Sequence, residues 1–282
     1  MNYISKLVAK TMSITRSAIV LLLILFIMPG SVAVAAELDN SQEIMPVEAV
    51  DTEMAVDTEI APDITPDITL PETEAVTLED GVYNILAIGN SITVHPICSY
   101  WWGSWGMAAS SIDKDYIHLV QSGLMEKYGL VSLDIIPVQS WETSTARSKQ
   151  LKKFDEKLAN SYDLVIIQLG ENVNDTTTFK KDFNKLVEYV KTAQPDAKIV
   201  VIGDFWYRKG RDTAKKDVAV SQGCEFVDLS EIRGVKQYMP EKGTKVLGHD
   251  GKLHTITKAS VLKHPNDLGM EFIANKVLEA VE

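Results

Sequence analysis

Cysteine is scarce: Cys98 and Cys224 are the only two in 282 residues. A disulfide-stapled scaffold is therefore excluded, and two readings stay open, one bridge in an exported protein or two buried free thiols. The five histidines are scattered, with no Cys/His cluster at metal-ligand spacing, so no metal is expected. No Gly-x-Gly-x-x-Gly follows a strand pattern and no phosphate loop is present, so no nucleotide cofactor is expected. Positive charge is missing altogether from residues 37–80, which hold much of the formal net charge of -11. That acidity argues against nucleic acid as a partner. Long apolar runs are also missing: the one at Ser17 to Met28 is about a dozen residues, short of the roughly 20 that cross a bilayer.

What is present at the N-terminus has the layout of a secretory leader. Lys6, Lys10 and Arg16 precede the apolar run, and Pro29, Gly30 and the small residues Ala33, Ala35 and Ala36 follow it. We read residues 1–36 as a signal peptide cleaved near Ala36, with a retained anchor as the alternative, which places the protein outside the cell or on its surface and limits membrane contact to the leader. Residues 37–80, rich in Asp, Glu, Pro and Thr, read as an acidic disordered linker, because self-repulsion and scarce apolar content cannot offset the cost of ordering the chain. Its short echoes, such as Pro62-Asp63-Ile64-Thr65 and Pro66-Asp67-Ile68-Thr69, are low complexity.

From Gly81 to the C-terminus, short β-branched runs alternate with helical patterns, as in a parallel sheet with crossover helices. Strands are expected at Tyr83–Ile88, Val131–Ile136, Asp163–Gln168, Lys198–Ile202 and Glu225–Val227. Apolar spacing predicts helices over Asp115–Tyr128 and Thr178–Ala193, and Pro265 should open a last one that buries Met270, Ile273, Ala274, Val277 and Leu278. The expected fold is α/β: a three-layer α/β/α sandwich around a five-stranded parallel sheet of flavodoxin-like order 2-1-3-4-5. Chemistry in such sheets gathers at the carboxyl ends of the strands.

Three segments fall there. Gly89-Asn90-Ser91-Ile92-Thr93 follows the first strand and would present the Ser91 hydroxyl beside backbone N–H groups able to face an oxyanion. An ordinary strand-to-helix turn, with Ser91 as a cap, is the competing reading. Gly170-Glu171-Asn172 follows the third strand and delivers the Asn172 amide to the same edge; an Asx-type turn is its alternative. Lys263-His264-Pro265 puts a histidine just before the last helix, where it can reach back as general base.

Together, in this order, the three resemble the sequence blocks of the SGNH (GDSL-like) hydrolases. Asn90 stands where that family usually has Asp, and Val173 where Gly-x-Asn-Asp would end. The resemblance implies Ser91 as nucleophile, His264 as base, and an oxyanion hole from the Ser91 N–H and the Asn172 amide. The family's remaining donor is a glycine N–H after the second strand; here Val138-Gln139-Ser140-Trp141 has no glycine, and the N–H of Ser140 or Trp141 takes its place. The usual triad acid, three residues before the histidine, is replaced by Val261. His264 must then be oriented by a backbone carbonyl, for which Val261 is the first choice, or by Asp250, Glu142 or Glu171. Asp267 reads as a dipole partner in the first turn of the last helix.

Trp101, Trp102 and Trp105, three of the five tryptophans, crowd one loop shortly after Ser91. They read either as the substrate-binding wall of a carbohydrate-facing cleft, which Trp141 and Trp206 can extend, or as anchors that bury the loop. The leading expectation is an exported esterase that removes acyl groups, acetyl above all, from a carbohydrate or a small ester. O-acyl transfer to a glycan, a catalytically silent carbohydrate-binding domain and a lipase are the alternatives.

Overall fold

A computed structural model of the protein describes residues 81–282; the expected signal peptide and acidic linker lie outside them. Five strands form one parallel sheet: β1 (Val82–Gly89), β2 (Leu130–Pro137), β3 (Leu164–Gln168), β4 (Lys198–Ile202) and β5 (Glu225–Val227), in the order β2-β1-β3-β4-β5. The helices are α1 (Tyr116–Tyr128), the short α2 (Gln139–Thr143), α3 (Arg147–Gln150) and α4 (Asp155–Leu158), then α5 (Phe179–Ala193), α6 (Arg211–Gln222) and α7 (Asp267–Val281). A small antiparallel pair, β6 (Lys245–Leu247) and β7 (Leu253–Thr255), stands apart from the main sheet. Among the described residues no helix is long and apolar enough to cross a membrane.

The three inner strands are apolar on both faces because helices cover both. Ile85, Ala87, Leu164, Ile166, Val200 and Ile202 pack with α1 and α7; Leu86, Ile88, Val165, Ile167, Ile199 and Val201 pack with α5 and α6. This is the three-layer sandwich and the strand order expected from the alternating patterns. On α5, Phe179, Phe183, Leu186, Val187 and Val190 are all buried, each contributing about 1.5–3 kcal/mol on leaving water.

Two features depart from expectation. Pro265 does not open α7: Asn266 caps it, accepting from the Gly269 N–H at 3.0 Å. And α6 carries no apolar stripe to read, because two of the five side chains it buries are Arg211 and Lys215; their partners lie on other strands and loops.

Register then sets the site. Gly89 pairs with Pro137 on one side and Gln168 on the other, so the turns after β1, β2 and β3 emerge side by side at one edge. Gly89 must be glycine, since a Cβ there would lie 1.9 Å from the Thr93 hydroxyl oxygen.

Candidate active site

The turn after β1 is built by Asn90. Its carbonyl accepts from the N–H groups of Thr93 and Val94, and its side-chain Oδ1 accepts from the Ile92 N–H at 3.0 Å. Asn90, not Ser91, thus holds the turn, and the Ser91 side chain is left half-buried and free to engage elsewhere. It engages His264: Ser91 Oγ lies 2.8 Å from Nε2.

His264 closes a 3-10 turn at Val261–Lys263 and is 4% exposed. Its Nδ1 is 3.0 Å from the carbonyl oxygen of Ser260. A carbonyl only accepts, so the proton sits on Nδ1 and Nε2 is left to accept from the serine hydroxyl. The orienting group is therefore a backbone carbonyl, but that of Ser260 in place of Val261, whose carbonyl takes the His264 N–H instead. Asp250 is occupied by His254 at 2.9 Å, and Glu142 and Glu171 both face Asn90, so none of the three carboxylates orients the ring. The carboxylate of Asp267 accepts from the N–H and hydroxyl of Ser110. Burial pushes His264 down from 6.5 to about 4, against the opposing pull of the Ser260 carbonyl.

The amide of Asn172 reaches the same edge, with Nδ2 donating to Glu142 Oε2 at 2.6 Å. Ser140 lies in the first turn of α2, where no carbonyl of the helix faces its N–H. The Trp141 N–H is committed to the Val138 carbonyl at 2.8 Å, which leaves Ser140 as the donor candidate after β2.

Beneath these groups runs a buried polar network. Asn90 Nδ2 donates to Glu142 Oε1 at 2.9 Å and to Glu171 Oε2 at 2.8 Å. Lys215 Nζ stands 4.0 Å from Glu171 and 2.8 Å from Asp204, and Arg211 Nε is 2.5 Å from Asp204. Burial and the neighbouring Glu171 charge push the Glu142 carboxyl up, while its three N–H donors pull the other way.

The tryptophan loop is anchored inward. Trp101 is fully buried and Trp105 is 3% exposed, packed edge to face at 5.8 Å inside the core that joins α1 and α7. Neither offers a ring face to a ligand, so the cleft-wall expectation is corrected for both, and Trp141 is buried as well. Trp102 is half-buried and stacks on His254 at 4.5 Å. The aromatic at the site is Trp206, whose ring meets His264 at 4.8 Å and 89° and whose Nε1 donates to the Lys263 carbonyl at 2.7 Å. Its place just after β4 marked it as a strand-end residue; nothing in the sequence paired it with His264.

Beyond Trp206 opens a cavity of about 450 Å³ lined by Phe205, Trp206, Tyr207, Arg233, Met239 and Lys263 among others. A larger depression of about 680 Å³ lies at the start of α7, and neither it nor the smaller cavity is lined by Ser91 or His264; the smaller one adjoins them through Trp206. Both cysteines are free thiols. Among the described residues no group of three or more His, Cys, Asp or Glu is placed to hold a metal ion.

No family model matches the chain, and no curated protein sequence does. Solved structures do. The chain is similar to a protein described as a GDSL-like lipase from Parabacteroides merdae, at 16% identity and a TM-score of 0.47, over 70% of this chain and 94% of that one. It is similar to a two-domain esterase active on acetylated mannans, at 16% identity and a TM-score of 0.48, over 71% of this chain. The matched part is 48% of that esterase, about half its length. An extracellular lipase from Streptomyces rimosus matches at 15% identity and a TM-score of 0.43, over 70% of this chain and 99% of the lipase.

Proposed function

We propose that the domain is a serine esterase of the SGNH hydrolase type, acting on acyl esters through Ser91 and His264. The observation that carries this is the Ser91 Oγ to His264 Nε2 contact of 2.8 Å with Nδ1 held on the Ser260 carbonyl. A buried imidazole lowered to about 4 is neutral at pH 7 and ready to take a proton.

In the reaction, His264 Nε2 takes the hydroxyl proton as Ser91 Oγ bonds to the ester carbonyl carbon. The negative charge that develops on the carbonyl oxygen is met by the Ser91 N–H, the second hydrogen of the Asn172 amide and the Ser140 N–H. The C–O bond to the leaving group then breaks, the alkoxide takes the proton from Nε2, and an acyl-serine remains. Water, deprotonated by the same nitrogen, attacks the acyl carbon; the carboxylic acid leaves and Ser91 regains its proton.

For the substrate we favour an acetyl ester on a carbohydrate. The support is the cavity of about 450 Å³ beside Trp206, the residue whose ring meets His264, within the roughly 300–1,000 Å³ usual for small-molecule sites. Its wall combines the Trp206 ring and a Tyr207 that is 71% exposed with the basic Arg233 and Lys263, a mix suited to a ring with apolar faces and polar edges. The leader-like first 36 residues support action outside the cell, where acylated polysaccharides are met.

The test is acetate release from a panel of acetylated glycans and from a small chromogenic acetate ester, with the full chain beside Ser91→Ala. Turnover that disappears in the variant is the expected result. A folded parent with no turnover on any ester, or a variant as active as the parent, overturns the reading.

A further inference from the structure

We propose that Glu142 is a positioning residue of the oxyanion site: its carboxylate selects and holds the orientation of the Asn172 amide that receives the developing charge. The proposal rests on the esterase reading above.

The argument begins with hydrogen-bond chemistry. An asparagine side chain can turn by 180°, exchanging an acceptor oxygen for a donor nitrogen at nearly the same place. Turned the wrong way, Asn172 would aim Oδ1 at an oxyanion and repel it. Glu142 is ringed by donors, with the Gly170 N–H and Asn90 Nδ2 on Oε1, and with Oε2 accepting as well, at 2.6 Å from Nδ2, it admits one of the two orientations of Asn172. The amide is planar, so fixing one hydrogen on Glu142 also fixes the direction of the other. That second hydrogen is the one left for substrate.

Glu142 acts on the neighbouring turn as well. Oε1 accepts from the Gly170 N–H at 2.5 Å, which holds the chain just ahead of Asn172. Oε1 also accepts from Asn90 Nδ2, leaving Asn90 Oδ1 to hold the Ile92 N–H just after Ser91. One carboxylate thus joins the turns that carry Ser91 and Asn172.

Glu142 is a costly residue to keep for stability alone. It is 1% exposed, and among the described residues it makes no ion pair; Lys215 lies on Glu171 and Asp204, and Arg147 reaches only the Glu142 backbone carbonyl. A buried charge without a countercharge is retained at the expense of stability. Orientation of the two turns is what it supplies in return.

The experiment is a double-variant cycle in the full chain on the chromogenic acetate ester, with kcat and KM read separately. Glu142→Gln keeps the shape, but its side-chain amide can satisfy either orientation of Asn172. Removing one oxyanion donor costs about 10²–10³ in kcat, so Asn172→Ala should fall by that much. Glu142→Gln should lose at least about tenfold in kcat with KM within about twofold. Because Glu142 acts through Asn172, the double variant should be no slower than Asn172→Ala alone. A Glu142→Gln rate equal to the parent's, an Asn172→Ala variant that is unimpaired, or losses that multiply in the double variant overturn the proposal while leaving Ser91 and His264 untouched. An inactive parent overturns the esterase reading and this proposal together. A readout independent of any Glu142 variant is the side-chain amide of Asn172 in the parent's nitrogen-15 spectrum, assigned by its loss in Asn172→Ala. One proton held on a carboxylate should exchange slowly with solvent; fast exchange of both overturns the proposal.

Discussion

His264 turns Nδ1 toward the Ser260 carbonyl oxygen, 3.0 Å away, at the point where a serine triad would hold a carboxylate. The carbonyl fixes the tautomer as well as an acid would, but it brings a dipole where the acid brings a full charge. An imidazolium formed at this buried ring is therefore stabilised less than one beside aspartate. In the proposed esterase, His264 is a base always available near neutral pH, and a weak one.

Activity should consequently rise with pH through a single ionisation near 4 and stay level above it. The sign follows from the role: His264 accepts a proton only when neutral, and burial has moved its titration from 6.5 to about 4. A profile of kcat/KM against pH on a small ester checks this. A midpoint near 6.5 would show a solvated or acid-paired histidine.

The same burial links folding to pH. The unfolded chain binds the His264 proton near 6.5 and the folded chain only near 4, so between these values the unfolded state holds more protons. This contribution is present above about pH 6.5 and is lost as pH falls toward 4, amounting to at most about 3 kcal/mol. Urea unfolding at several pH values, compared between the parent and His264→Gln, isolates it from every other titrating group. Parallel pH curves for the two proteins would contradict the assignment.

Trp206 is one of the walls that keep water from His264. Trp206→Ala should let water in and raise the histidine toward 6.5, moving the acid limb of the rate profile upward. At pH 5 the rate relative to its plateau should fall by up to about thirtyfold, with the plateau itself changing less. An unmoved limb would mean that other groups provide the burial.

Lys215 sits fully buried between Asp204 and Glu171. Lys215→Met removes the cation and leaves two buried carboxylates short of a partner, a loss of about 3–5 kcal/mol. Denaturant unfolding near neutral pH measures it, and a loss below about 1 kcal/mol would show that the network is already compensated from elsewhere.

Local pattern was enough for the sheet. Apolar-rich runs such as Leu164–Gln168 and Lys198–Ile202 specify strands covered on both faces, and crossover geometry then leaves few strand orders. It was also enough to put Ser91, Asn172 and His264 near strand ends, because each follows or precedes an element with a clear boundary. The pattern failed where charged residues occupy core positions: α6 hides Arg211 and Lys215, and a hydropathy period cannot register a buried lysine whose partners come from β3 and β4 loops. It failed too for the tryptophans, since a ring that packs inward and a ring that lines a cleft have the same composition.

What separates the legible from the hidden is distance along the chain. Asn90 holds the Ile92 N–H two residues away, a contact that an Asn-Ser turn after a strand already implies. Ser91 meets His264 across 173 residues, and Asn90 meets Glu142 and Glu171 across 52 and 81. Those meetings depend on the register of β1 against both β2 and β3 and on where the segment before α7 returns to the sheet. Side-chain periodicity carries which face a residue takes, and it carries nothing about which distant residue waits there, so the carbonyl behind His264 and the carboxylate behind Asn172 emerge with the packed fold.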